Sequence, residues 1–496
     1  MILYITNNEN YPQNTIYRRI SLQSALDSLF TLDTIGIDTE TSGLDVHKSK
    51  LLLIQLGNEV NQYVFDMSTI NIQDLKPLLE SNKEFIFHNA KFDLKYFLKE
   101  HIIFKKIYDT FLAEKILWLG YPSLPKNYQG ENADEFHTYS LKDCVWRYCK
   151  EYLDKTQRGQ FIIDNSITPE KIIYAAKDVK FLEQIQTKQL DQANQNNLIK
   201  AIKIENNFVQ FLAYTELCGV KLDINKWQQK IDTTTKQLND TINKLNQWLI
   251  NADFPNKNKY VIIDNQGDLF AGFNLDPQVI INWDSSTQVI QLLKNFNINI
   301  VTNDKKTGLE KESIEAKLLQ KYSDKCDLIP IYLQYKELAK LNSTYGDKVI
   351  KQVNPNTGRI YTQFNQLGAI SSRLSCGGKD KGNDLEFLNF QNFPNDELTR
   401  SCFIAEDIND WISVDFSGQE SRIIACLSKD PAMLELFKNG CGDVHSLTAK
   451  MSYPEVIKDT PIEEIKSKFH NYRQEAKGIE FSMKSLLLFN SYKKFL

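Results

Sequence analysis

Trp411-Ile412-Ser413-Val414-Asp415-Phe416-Ser417-Gly418-Gln419-Glu420-Ser421-Arg422 is the stretch on which the reading of this chain turns. Trp411, Ile412 and Val414 are spaced as a buried strand, and Ser417-Gly418 interrupts it before Ile423, Ile424, Ala425 and Leu427 resume at helical spacing. Asp415 is thereby delivered to the C-terminal end of a strand. A carboxylate there faces solvent from a rigid backbone and suits a divalent cation. The same residues, taken alone, also read as a strand-end polar group followed by a capping box, Ser417 with Glu420, at a helix N-terminus.

Farther along, Arg473, Lys477 and Phe481 stand four residues apart. A helix sets these two cations and the ring on one face, able to grip a triphosphate and cover a base, and a solvated basic stripe beside a core phenylalanine has the same spacing. Three further stretches precede them: Thr357-Gly358-Arg359, Ser372-Arg373-Leu374-Ser375 and Leu388-Asn389-Phe390-Gln391-Asn392-Phe393-Pro394. In their order and spacing the five stretches resemble the family A DNA polymerases, the bacterial DNA polymerase I type, from about Glu205 to Met483. The resemblance implies that Asp415 is a catalytic metal ligand. It implies that Arg473, Lys477 and Phe481 bind the incoming deoxynucleoside triphosphate and that Glu420 stands where a ribose 2′-hydroxyl is refused. Arg359, Arg373, Gln391 and Asn392 would hold the DNA primer-template. Amide side chains there can read minor-groove acceptors common to every base pair, as an enzyme indifferent to sequence requires.

The chain departs from the family after Phe481. A glycine and then a Tyr-Gly pair are expected, and Ser482, Ser485 and Leu486 stand there instead; no His-Asp-Glu triplet occurs. The expectation is therefore a C-terminally truncated polymerase domain that lacks its second metal carboxylate and needs a second polypeptide to polymerise. Asp-Phe-Ser-Gly-Gln-Glu-Ser-Arg resembles phage-encoded members more than cellular ones.

The N-terminal third carries its own acidic pattern. Thr34 to Glu40, Leu51 to Leu56 and Tyr63 to Asp66 read as strands, and Asp38 and Glu40, two apart, project from one face of the first. Phe85 to Phe87 is an apolar strand that breaks into a helix carrying Asp93. Thr168-Pro169-Glu170 starts another helix with a cap and a first-turn proline, and on it Tyr174 and Asp178 share a face. Four carboxylates can hold two divalent ions, whose mutual repulsion at about 4 Å is on the order of 15 kcal/mol at an effective dielectric near 20.

This constellation resembles the tyrosine variant of the DEDD 3′-to-5′ exonucleases, the proofreading domain of DNA polymerase I, over about the first 190 residues. It implies that Asp38, Glu40 and Asp178 hold one Mg²⁺ or Mn²⁺ ion, that Asp38 and Asp93 hold a second, and that Tyr174 orients the attacking water. Leu44 would wedge against the terminal base and Asn89 would contact the DNA. Asp109-Thr110 fits the same pattern in a structural role.

Composition agrees with a nucleic-acid enzyme only locally. The chain has 496 residues and a net charge of −4, with 59 basic residues against 63 acidic ones, so any DNA surface is built by segregation of charge. Eight scattered cysteines with no Cys-x-x-Cys pair imply reduced thiols and no structural zinc. With no apolar window of membrane length, the expectation is a cytoplasmic protein of a bacterium or a phage-infected host.

The expected architecture is α/β: a ribonuclease H-like exonuclease domain at 1–192, then an incomplete polymerase domain at 198–496. The latter divides into thumb at about 205–350, palm at about 353–436, partial fingers at about 437–484 and an unmatched tail at 485–496. The expected substrates are primer-template, single-stranded DNA 3′ ends and deoxynucleoside triphosphates, with no membrane. Two rival readings are a stand-alone metal-dependent exonuclease with a DNA-binding remnant, and a non-enzymatic DNA-binding subunit.

Overall fold

The computed structural model describes residues 1–121, 137–154, 159–262, 277–303, 308–369, 371–379, 386–438, 440 and 443–479. Strands β1 (Ile2–Ile5), β2 (Tyr17–Arg19), β3 (Thr34–Thr41), β4 (Leu51–Gly57), β5 (Gln62–Asp66), β6 (Glu84–Phe87) and β7 (Lys106–Asp109) form one sheet. Its order is β2-β1-β5-β4-β3-β6-β7. Only β4 runs against its neighbours. The three strands read from the sequence are present to within one residue at each end.

Helices cover both faces of this sheet, which is why β3 is buried along almost its whole length. On one face Ile35, Ile37, Ile54, Phe65 and Phe85 pack against side chains of α1 (Leu22–Phe30), α2 (Ile72–Leu79) and α3 (Lys91–Lys99). Helices α4 (Thr110–Leu117), α5 (Leu141–Cys149) and α6 (Gln160–Ile163) follow. On the other face Leu53 and Val64 meet Phe161 of α6 and Ile172 and Ala175 of α7 (Pro169–Lys180). Thr168 caps α7 by accepting from Lys171 N, and Pro169 opens it, as the sequence implied.

Helix α8 (Leu182–Gln195) leads through a short turn into α9 (Ile199–Cys218). The sequence assigned α9 to the polymerase half, with the thumb starting near 205. In the structure Val209 and Ala213 of α9 lie in the same core as α3, and Ile202 lies with α4, α5 and α8. The boundary expected between 192 and 198 is therefore not a packing boundary, because the apolar face of α9 is completed by the exonuclease core. Beyond it, α10 (Ile224–Asn251), α11 (Ser286–Lys294), α12 (Ala316–Leu319) and α13 (Leu328–Tyr345) share a core around Leu249, Trp283, Leu292, Ile329 and Tyr332. Ser285 caps α11, accepting from Gln288 N.

A small sheet sets strand Val220–Leu222 between Arg359–Ile360 and Phe403–Ile404, over Trp227, which is fully buried. The chain divides into two compact units, Met1–Glu406 and Asp407–Leu496, so the range read as palm is split between them. The second unit is helical among its described residues: Gln419–Ser428, Pro431–Lys438, Val444–Ser452, Pro454–Ile457, Ile462–Lys468 and a helix over 470–479. Its core is Ala449, Ile457, Ile465 and Ala476.

One expectation is corrected here. Residues 411–416 form no strand, and Trp411, Ile412, Val414 and Phe416 are 62%, 83%, 88% and 76% exposed. A strand exists only by exchanging hydrogen bonds with a neighbour. Among the described residues none lies beside 411–416 as a paired strand. The residue that precedes the helix is Gly418, at φ +59, rather than Ser417, whose carbonyl accepts from Arg422 Nε.

Candidate active site

Three carboxylates converge where β3 meets α7. Strand alternation turns Gly36, Asp38 and Glu40 toward α7, and α7 contributes Asp178, so that a ligand oxygen from each of Asp38, Glu40 and Asp178 lies within 4.8 Å of the others. Gly36 makes this possible. A Cβ there would stand 2.9 Å from the Val179 carbonyl oxygen and 3.0 Å from that of Gly57, so only glycine lets the end of α7 seat on the strand. Glu40 and Asp178 are buried and Asp38 is half-buried. At that spacing each pair of anions repels by about 3 kcal/mol at an effective dielectric near 20. An all-carboxylate oxygen set is the donor chemistry of Mg²⁺ or Mn²⁺, so these residues fit the ions that the sequence implied.

Asp93 is not one of this group of three. Thr39 lies between Asp38 and Glu40 and turns to the opposite face of β3, where its Oγ1 donates to Asp93 Oδ1 at 2.5 Å. Burial pushes the Asp93 carboxyl up to about 7, against the pull of that bond. The fourth carboxylate is thus tied to the strand that carries Asp38 and Glu40 through Thr39, whose face strand alternation gives but whose partner it does not. Tyr174 is buried one turn before Asp178, its ring tilted 46° against Phe161 at 6.1 Å.

Asp109 sets the start of α3. Its carboxylate accepts from the backbone N–H of Asn89 and Ala90, each at 2.9 Å, and from Phe111 N at the cap of α4. Asn89 adopts φ +69 in this turn. Asn89 therefore contributes its backbone to the turn that leads to Asp93, and Asp109 has a structural role. Leu44 is 37% exposed just past the end of β3.

Sequence reasoning missed the junction behind α3. Glu216, buried near the end of α9, accepts from Lys91 Nζ at 2.6 Å, Lys95 Nζ at 3.2 Å and Phe364 N at 2.7 Å. Lys91 also donates to the Phe364 carbonyl. Nearby, Lys115 Nζ donates to the Gln366 carbonyl at 2.8 Å, and Gln366 Nε2 donates to Glu205 at 2.7 Å. The exonuclease helices are thus bonded to the segment read as the start of the palm. Nothing in the spacing of a single glutamate signals this.

The polymerase residues are placed as follows. Arg359 donates to the carbonyls of Cys218 and Gly219 and pairs with Glu406 at 2.6 Å, so its guanidinium is committed within the fold. Gln391 Nε2 donates to the Leu374 carbonyl at 3.0 Å, which joins the turn carrying Arg373 to the short helix Phe390–Asn392. Arg373 and Asn392 are exposed, and the Asn392 carbonyl accepts from Tyr345 Oη. In the second unit Asp415 and Glu420 are exposed. Arg473 is engaged by Asp443, Nε to Oδ2 at 2.9 Å and Nη2 to Oδ1 at 3.1 Å, while Asp443 also caps helix Val444–Ser452. Lys477 is exposed one turn on, and Phe481 with the tail at 485–496 lies outside the described residues.

Two family models match the chain: DNA polymerase family A over residues 275–484 and 3′-5′ exonuclease over residues 14–192. DNA polymerase I of Aquifex aeolicus is 27% identical over 483 residues, covering 93% of this chain and 70% of that protein. The DNA polymerase of Escherichia phage T5 is 26% identical over 478 residues, covering 90% of this chain and about half (51%) of that protein. The POL domain of Pol1 from M. smegmatis, solved with DNA primer-template and dNTP, shares the fold at a TM-score of 0.67 and 18% identity, over 97% of this chain and 71% of that one. A match to the polymerase model over 275–484 does not favour a lone exonuclease with a remnant, or a non-enzymatic subunit.

Proposed function

Because the chain belongs to the family A DNA polymerases and carries a 3′-5′ exonuclease domain at its N-terminus, we propose that it removes nucleotides from DNA 3′ ends at Asp38, Glu40, Asp93 and Asp178 and serves DNA replication. The convergence of three carboxylates within 4.8 Å carries this reading. Asp38, Glu40 and Asp178 would hold one Mg²⁺ or Mn²⁺ ion, and Asp38 with Asp93 a second. When bound, such ions generate hydroxide and stabilise the leaving oxygen of a phosphodiester. Tyr174, one turn from Asp178, would orient the attacking water through its hydroxyl. Leu44, exposed at the end of β3, would press on the terminal base and hold the scissile phosphate over the carboxylates.

Nucleotidyl transfer is assigned to Asp415, with Lys477 and Arg473 on the triphosphate and Phe481 against the sugar and base. Arg473 would exchange Asp443 for phosphate oxygens when the nucleotide arrives, a trade between two bidentate anionic partners. Arg373, Gln391 and Asn392 would grip the primer-template. Asp415 lies on a segment with no strand paired beside it among the described residues, so polymerisation is proposed for an assembly in which further palm strands flank it, supplied if necessary by a second polypeptide. A cytoplasmic site, bacterial or phage-infected, goes with these substrates, and no described helix is long and apolar enough to cross a membrane.

The test is digestion of 5′-labelled single-stranded DNA with Mg²⁺ or Mn²⁺. The protein should produce a ladder shortened from the 3′ end, and Asp38→Ala should lose it by several orders of magnitude while still binding DNA. Undiminished digestion by Asp38→Ala would refute the assignment. The Asp38→Ala protein then serves for primer extension, with and without a polypeptide carrying further palm strands.

A further inference from the structure

Gln55 is the one buried glutamine among the described residues whose side chain has no partner. It lies on β4 and is fully buried, and neither its Nε2 nor its Oε1 makes a hydrogen bond. Gln189, equally buried, shows the usual solution: its Nε2 donates to the Thr110 carbonyl at 2.9 Å and to Glu114 at 2.7 Å. A buried amide left unpaired costs about 1–3 kcal/mol, so an orphan in a core that satisfies its other glutamines calls for a partner.

The register of the sheet identifies one. Gln55 sits directly opposite Asp38 in the antiparallel β3–β4 pair, and Val64 of β5 is its neighbour on the other side. Directly opposed residues point to the same face, with Cβ atoms about 4.5–5.5 Å apart. Gln55 therefore shares the α7 face with Asp38, Glu40 and Asp178. The neighbouring positions Leu53 of β4 and Val64 of β5 on that face are apolar. At the Cβ spacing of directly opposed residues, a glutamine amide and an aspartate carboxylate fall within the combined span of their two side chains.

We propose that Gln55 is a positioning residue of the exonuclease site: its Nε2–H donates to the Asp38 carboxylate when divalent ions are bound, fixing the orientation of the one carboxylate assigned to both ions. This rests on the exonuclease reading of Asp38, Glu40 and Asp178. Carboxylates that bind metal are themselves held by hydrogen bonds from a surrounding layer of donors, and losing such a donor typically weakens metal binding about 10–100-fold. The orphan amide is then the unloaded half of a bond that the metal-loaded site completes.

The test is Gln55→Met, which keeps the volume and removes the amide. Mn²⁺ binding is measured by calorimetry, and the component that disappears in Asp38→Ala is assigned to this site. Metal-free Gln55→Met should melt at or above the temperature of the unaltered protein, because an unpaired amide has been removed, while that Mn²⁺ component weakens about 10–100-fold. Unchanged Mn²⁺ affinity in Gln55→Met would overturn the proposal and leave the exonuclease reading standing. Failure of Gln55→Met to fold would also overturn it, since the amide would then be needed within the metal-free fold. No Mn²⁺ component lost in Asp38→Ala would overturn both.

Discussion

Replacing Glu216 by alanine should loosen the joint between the exonuclease helices and the segment at 364–366. The carboxylate is 2% exposed at its side chain and takes three donors: Lys91, 18% exposed, Lys95, 13% exposed, and the Phe364 amide. Removing one partner of a buried ion pair costs about 3–5 kcal/mol, and an amide left unpaired about 1–3 more. Two features reduce the sum. Lys91 keeps the Phe364 carbonyl as an acceptor. Burial already pulls the Lys91 ammonium below the ordinary lysine value in spite of Glu216, so on losing its counter-ion it can give up its proton rather than remain charged in the interior. The expected loss is about 3 kcal/mol for Glu216→Ala, and about half of that for Glu216→Gln, which retains acceptors for Phe364 and one lysine. Urea unfolding of the three proteins measures the difference, and hydrogen exchange should show it first in α3 and α9. A Glu216→Ala protein within about 1 kcal/mol of the unaltered one would refute the reasoning, since that is the range of exposed ion pairs.

Gly36→Ala should cost about 1–3 kcal/mol and weaken Mn²⁺ binding, because the added methyl meets two backbone carbonyl oxygens at 2.9 and 3.0 Å and α7, with Asp178, has to move away; unaltered stability and affinity would show that α7 is not seated as described. In the second unit burial raises the Asp443 carboxyl, but the bonds from Arg473 and Ser446 outweigh it and hold the group below the usual carboxylate value. A depressed carboxylate contributes stability that is present above its unfolded value of about 3.9 and is lost as pH falls through the lower folded one. Hydrogen exchange in helix Val444–Ser452, corrected for intrinsic rates, should therefore lose protection below about pH 4. Asp443→Asn should abolish that change, and an equal pH response in both proteins would contradict the assignment.

Much of the carboxylate cluster was legible because its signals are local. Two acids two apart on an apolar run share a strand face whatever surrounds them, and Tyr174 and Asp178, four apart after a Thr-Pro start, share a helix face. Those periods identified β3 and α7 before any contact was known. The sequence could not say how close the faces come. Gly36 admits α7, Thr39 ties Asp93 from the far side of the strand, and Gln55 faces Asp38 only through the register of β4.

In the C-terminal half the motifs in sequence carried the family resemblance, while the tertiary structure decided which partners the charged residues take. Arg359 and Arg473 both carry charges suited to phosphate, yet one pairs with Glu406 and the other with Asp443, partners distant in sequence. Trp411 to Val414 has the composition of a buried strand and is not one, because strand formation depends on hydrogen bonds from a neighbour that no local pattern can supply. Periodicity and turn chemistry act over a few residues and are written in the chain. Helix seating, register and ion-pair partners are settled by packing across tens to hundreds of residues, as Glu216 shows when it draws Lys91, Lys95 and Phe364 to one carboxylate.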